Sequence, residues 1–127
     1  MKTVADYLRC RYEDGARGPT AFDCYGLVID ARVSLFGHDR LPSLGWCGRA
    51  KLRENTHAFR ETKVGMVECG PAPGVIAAAF DRDLLTHVGI VVEVDGQLKI
   101  LDTNPGGPKI RTVRDFESCF QRVAYYS

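Results

Sequence analysis

The sequence holds five cysteines and three histidines, and one cysteine stands apart because of its neighbours. Asp23 precedes Cys24, and Leu27, Val28, Ala31 and Leu35 follow at helical spacing until Gly37 and Pro42 supply a stop. The pattern predicts a helix with Asp23 as its N-cap, accepting otherwise unpaired amide hydrogens, and Cys24 as the first helical residue. A thiol attacks as its thiolate, and the partial positive charge and amide donors of a helix N-terminus favour that form. The same amides could hold the oxyanion of a tetrahedral intermediate, which makes Cys24 the candidate nucleophile of an acyl-transfer or hydrolytic reaction. Cys10, Cys47, Cys69 and Cys119 have no comparable setting and read as small buried hydrophobes. The odd count leaves at least one thiol unpaired within the chain. No Cys-x-x-Cys occurs, and no histidine lies within four residues of a cysteine or of another histidine, so no metal site is expected.

A cysteine nucleophile works with an imidazole base. His38 follows the helix-ending Gly37 and His57 sits in a polar stretch, so both read as solvated surface. His87 begins the apolar segment His87-Val88-Gly89-Ile90-Val91-Val92-Glu93-Val94, where a polar ring is costly unless it faces a cleft. Asp95-Gly96 follows, a dipeptide suited to a two-residue hairpin turn. With that turn Val94 faces Gln97, which puts Gly89 opposite Asp102 and His87 opposite Asn104, all on one face. Asp102 then lies diagonal to His87 within side-chain reach, where its carboxylate could set the imidazole tautomer, and Gly89 leaves the space between them open. Asn104 is the alternative orienter. The hairpin also has an ordinary structural reading, with His87 satisfied by a neighbour and Asp102 serving the turn.

The elements that must position these residues read as follows. A short helix is expected within Thr3–Arg11, then an irregular loop over Glu13–Thr20, then the Cys24 helix. Weaker helical character runs from Arg49 to Glu61. Strands are expected at Lys63–Glu68, Gly74–Phe80, His87–Val94 and Gln97–Asp102. A loop at Asn104–Pro108, a helix at Val113–Phe120 and a last strand at Arg122–Tyr126 complete the chain. Helices followed by a meander of strands make an α+β domain with an antiparallel sheet.

The length of 127 residues predicts a single domain over 1–127, and 45% hydrophobic with 26% charged residues excludes disordered, collagenous and coiled-coil chains. A formal charge of +1 leaves no basic field for nucleic acid or anionic lipid. The longest apolar run, Val75–Phe80, is far below the ~20 residues that cross a bilayer, so no membrane insertion is expected. Met1–Tyr7 turns polar too early for a secretory signal. The expectation is synthesis in the cytoplasm, with another agent delivering the protein if it acts outside.

These residues resemble the NlpC-type cysteine peptidases, which cleave stem peptides of bacterial cell wall on a papain-like fold. Phe22-Asp23-Cys24-Tyr25-Gly26-Leu27-Val28 is similar to that family's Asp-Cys-Ser-Gly-Leu-Val signature, and His87-Val88-Gly89-Ile90 to its His-Val-Gly-Ile strand. Tyr12 with its Gly-containing loop, and Pro73-Gly74-Val75-Ile76, resemble further family segments. The likeness runs from Tyr12 to Asn104. It implies Cys24 as nucleophile, His87 as general base and Asp102 as the polar third residue, with no cofactor. Tyr12 would line the cleft near the thiol as a candidate oxyanion donor, and Asp23 and Tyr25 would flank it; Tyr12 also reads as a core aromatic tethering the loop. Tyr25 stands where the family usually has Ser, and Val75 where it has Asp. The aromatic after the cysteine, the long helix and the Leu41-Pro42 pair look more like peptidase domains of phage and prophage tail proteins. The partners so implied are peptidoglycan stem peptides and phage tail-tip proteins, with a virion-associated location acting in the cell envelope. Two other functions stay open: a structural tail-assembly module with little or no catalysis, and a Cys–His acyltransferase or deamidase.

Overall fold

Alternation along the apolar segments builds the centre of the fold. In the computed structural model, which describes residues 2–42 and 51–127, β4 (Ile76–Asp81) and β5 (Leu84–Val94) are buried on both sides. This double burial explains why both read as nearly continuous apolar runs. Ile76, Ala78, Phe80, Val88, Ile90 and Val92 face one core. Val75, Ala77, Ala79 and Val91 face the other.

The remaining elements are α1 (Val4–Leu8), β1 (Arg11–Tyr12), β2 (Ala21–Phe22), α2 (Cys24–Phe36), α3 (Leu52–Thr62), β3 (Glu68–Cys69), β6 (Gln97–Asn104), β7 (Gly107–Thr112), α4 (Val113–Ser118) and β8 (Arg122–Tyr126). The protein is therefore mixed α+β: four helices, among the described residues, accompany a six-stranded antiparallel sheet of order β3-β8-β4-β5-β6-β7. Residues of α2 and α3 pack on the first core, where Phe59 joins Leu27, Val28 and Tyr126. Phe116 of α4 covers the second. Among the described residues no helix is long and apolar enough to cross a membrane.

The hairpin register is the expected one, with Val94 opposite Gln97 and Ile90 opposite Leu101. Asp95 and Gly96 both take positive φ, 52° and 77°, as a tight hairpin turn requires. Four expectations need correction. β5 begins at Leu84, so His87 lies inside the strand rather than at its start. The Lys63–Glu68 strand is instead a turn of 3₁₀-helix at Lys63–Gly65 followed by the two-residue β3; of its apolar side chains Met66 packs against the core, while Val64 and Val67 are exposed. The loop region hides a short parallel ladder of β1 with β2. Finally, the loop expected at Asn104–Pro108 is a tight turn that opens β7, an edge strand where Pro108 is tolerated. Cys47, Arg49 and Ala50 lie outside the described residues.

Candidate active site

The start of α2 is built by a carboxylate. Asp23 accepts from Gly26 N at 2.7 Å, as an N-cap should, and also from Arg17 Nη1 at 2.8 Å and Gly15 N at 3.2 Å. Its own amide donates to Ala16 O at 3.1 Å. The Gly-rich loop is thereby strapped across the first turn of the helix. It passes so close that a Cβ on Gly26 would sit 2.3 Å from Ala16 O. Cys24 follows under this strap, 1% exposed, in the core that α2 shares with the sheet.

The second constellation comes from the β5–β6 hairpin and β7. His87 Nε2 meets Asp102 Oδ2 at 2.6 Å, and both side chains are buried. Gly89 makes this possible, since a Cβ there would sit 2.6 Å from Ile100 Cγ2 and 3.2 Å from Asp102 Cβ. Arg111 closes the other side of the carboxylate, Nη2 donating to Oδ2 and Nε to Oδ1 at 3.4 Å. The imidazole packs against Phe116 and stacks on Phe120, with ring centroids 5.9 and 5.8 Å away. Burial pushes the Asp102 carboxyl up, but the hydrogen bonds from His87 and Arg111 outweigh it and hold the group below the ordinary carboxylate value. An ionised carboxylate only accepts, so Nε2 carries a proton and donates to Asp102 Oδ2, and Nδ1 is the ring nitrogen turned away from that contact. The site opens into a groove of about 320 Å³ lined by Asp81, Thr86, His87, Asn104, Arg111 and Phe120.

The structure thus joins His87 to Asp102, while Cys24 packs in the core on the other face of the sheet. Among the described residues the partners of the His87 ring are Asp102, Phe116 and Phe120. Strand alternation is the reason. His87 pairs with Ala79 across β4–β5 and shares its face with Gly89 and Val91, under α4, whereas α2 packs on the face of Val88, Ile90 and Val92. Compared with models of known protein families and with curated protein sequences, the chain matches none.

The flanking residues have other employment. The Asp23 carboxylate is buried and caps α2. The Tyr25 ring is buried with its hydroxyl donating to Pro42 O at 3.0 Å, and the Tyr12 hydroxyl donates to Asp14 Oδ1 at 3.2 Å. Asn104 lines the groove, but its Oδ1 accepts from Gly106 N at 3.0 Å and shapes the β6–β7 turn, leaving the imidazole to Asp102. Cys69 and Cys119 are exposed, not buried as expected, because β3 and the end of α4 lie at the surface. Among the described residues no group of three or more His, Cys, Asp and Glu side chains is arranged to hold a metal ion.

Sequence reasoning missed Arg111, Phe116 and Phe120. The signal for Arg111 was present but hidden by the missed strand: with Asp102 opposite Lys109, Arg111 becomes a diagonal neighbour of Asp102 on the same face. The two aromatics have no local signal, since only the folding of α4 onto the sheet brings them to the ring.

Proposed function

We propose that this chain is a thiol hydrolase that cuts amide bonds in peptidoglycan stem peptides, with Cys24 as nucleophile, His87 as general base and Asp102 as the group that orients the imidazole. The observation that carries the reading is the buried 2.6 Å contact of His87 Nε2 with Asp102, which fixes the ring by one nitrogen and leaves Nδ1 as the one to act as base, on a ring held by aromatic packing. The likeness of the Cys24 and His87 segments to NlpC-type peptidases supplies the substrate class and the association with a phage or prophage tail. In the reaction Nδ1 takes the thiol proton as Sγ attacks the carbonyl carbon, and the imidazolium returns it to the leaving amine. Water deprotonated by the same nitrogen then releases the acyl group from sulfur. The first turn of α2 packs in the core on one face of the sheet and the imidazole packs on the other.

That same separation favours a second reading, a tail-assembly module that retains the fold without catalysis. One experiment separates the two. Purified bacterial cell wall is incubated with wild-type protein, Cys24→Ala and His87→Ala, each checked for folding by circular dichroism, and the soluble fragments are weighed by mass spectrometry. The hydrolase reading expects fragments gaining one water per cut from the wild type and none from either variant. Cutting by Cys24→Ala at the wild-type rate, or no cutting by any of the three, ends it. Products joined to an added amine, or amides converted to acids without chain cleavage, would instead identify an acyltransferase or a deamidase.

A further inference from the structure

The carboxylate of Asp102 stands between two donors on the same face of the sheet. His87 lies on one diagonal, from β5, and Arg111 on the other, from β7, where Ile100 is its direct partner. We infer that Arg111 is a positioning residue for the His87–Asp102 pair, keeping the imidazole neutral with its proton on Nε2 and its lone pair on Nδ1. The inference rests, for its bearing on activity, on the thiol-hydrolase reading above.

The physical argument concerns how many charges one carboxylate can balance. Asp102 is 1% exposed, so water contributes little to its solvation. Facing the imidazole alone, a buried carboxylate is best satisfied by an imidazolium, and a ring already protonated on both nitrogens is not a base. Arg111 supplies the permanent positive charge instead, and its fork reaches both carboxylate oxygens. A second cation beside that one carboxylate then disfavours proton uptake by the ring. The guanidinium is itself held in place, lying 5.4 Å from the centroid of Phe116 and donating to Cys119 Sγ at 3.5 Å. The other charged groups on the surrounding elements are Asp81 at the end of β4, Lys109 on β7, and Arg114, Asp115 and Glu117 on α4. All five are exposed, and Glu117 accepts from Tyr125 Oη at 2.6 Å. None of them replaces a guanidinium bonded directly to the carboxylate.

The test is ¹⁵N NMR of the histidine rings in wild type, Arg111→Met, Arg111→Gln and Arg111→Lys, with His87 assigned by its loss in His87→Gln. In the wild type at neutral pH the His87 proton is expected on Nε2 with Nδ1 bare; a ring protonated on both nitrogens, or on Nδ1 alone, overturns the inference without any variant. Removing the charge in Arg111→Met or Arg111→Gln is expected to raise the imidazolium fraction at pH 7 severalfold, up to about tenfold. Arg111→Lys keeps the charge and stays near wild type. If the neutral variants fold, as judged by circular dichroism, and match wild type, or if Lys and Met behave alike, charge is not what Arg111 contributes. On cell wall the acid limb of the pH–rate profile of the neutral variants moves to higher pH. A moved imidazolium fraction in proteins that never cut cell wall supports the role of Arg111 and removes the hydrolase reading.

Discussion

Replacing Asp102 with Asn keeps the shape of the side chain and removes its charge. In the native protein Oδ2 receives both His87 Nε2, at 2.6 Å, and Arg111 Nη2, while Oδ1 receives Arg111 Nε at 3.4 Å. The amide has a single oxygen. If it stays at the Oδ2 position, its NH₂ faces the Arg111 Nε–H, donor against donor; if it flips, both shorter contacts are lost. Breaking a buried ion pair by removing one partner costs about 3–5 kcal/mol. The Arg111 side chain is 23% exposed and water recovers part of its solvation, so we expect Asp102→Asn to lose about 2–4 kcal/mol at pH 7.

The pH dependence follows from the direction of the carboxyl shift. Asp102 is held below its ordinary value in the folded protein, so its contribution is full above the unfolded carboxyl value of about 3.9 and is lost as pH falls through the lower folded value. The part of the stability gap that comes from the Asp102 charge should therefore be fully present at pH 5 and above, where titration of His87 modulates it, and should close in strong acid. Urea unfolding under reducing conditions, followed by circular dichroism across that range, measures it. A gap below about 0.5 kcal/mol at pH 7, the size of an ordinary surface substitution, would refute the reasoning. So would a gap that persists undiminished below the folded carboxyl value.

Two further substitutions probe the elements that hold the site. Gly26→Ala gains up to about 1 kcal/mol of intrinsic helix propensity, but its Cβ meets Ala16 O at 2.3 Å, a backbone atom, and overpacking costs about 1–3 kcal/mol. A lower melting temperature than wild type is expected, and an equal or higher one would show that the strap over α2 can yield. Tyr7→Phe removes a buried hydroxyl that donates to Asp30 Oδ2 at 2.5 Å. Lys2 also donates to Asp30, at 2.6 Å, so the carboxylate keeps a partner and the loss should be about 1–2 kcal/mol. An unchanged urea midpoint would contradict it.

Local chemistry made several features legible. The Asp23 cap and the αL Gly37, at φ 68°, bracket α2 where the apolar spacing places it, because helix ends are decided by the backbone groups of one turn. The hairpin was equally readable: a two-residue turn and a period of two determine which residues share a face, and Gly89 left room for His87 to reach Asp102. β7 was obscured by Gly106, Gly107 and Pro108, which read as loop unless the strand is known to lie at the sheet edge.

By itself the sequence determined the helix that begins at Cys24, the register of β5 on β6 and, through that register, that Asp102 and Asn104 are the two candidates to meet His87. All three follow from interactions between residues near one another along the chain. The tertiary structure alone decided which face of the sheet each helix covers. Alternation tells which side chains lie together but not which side α2 or α4 will take, since the apolar β4 and β5 offer both. That choice put Phe116 and Phe120 on the imidazole and packed Cys24 on the other side of the sheet.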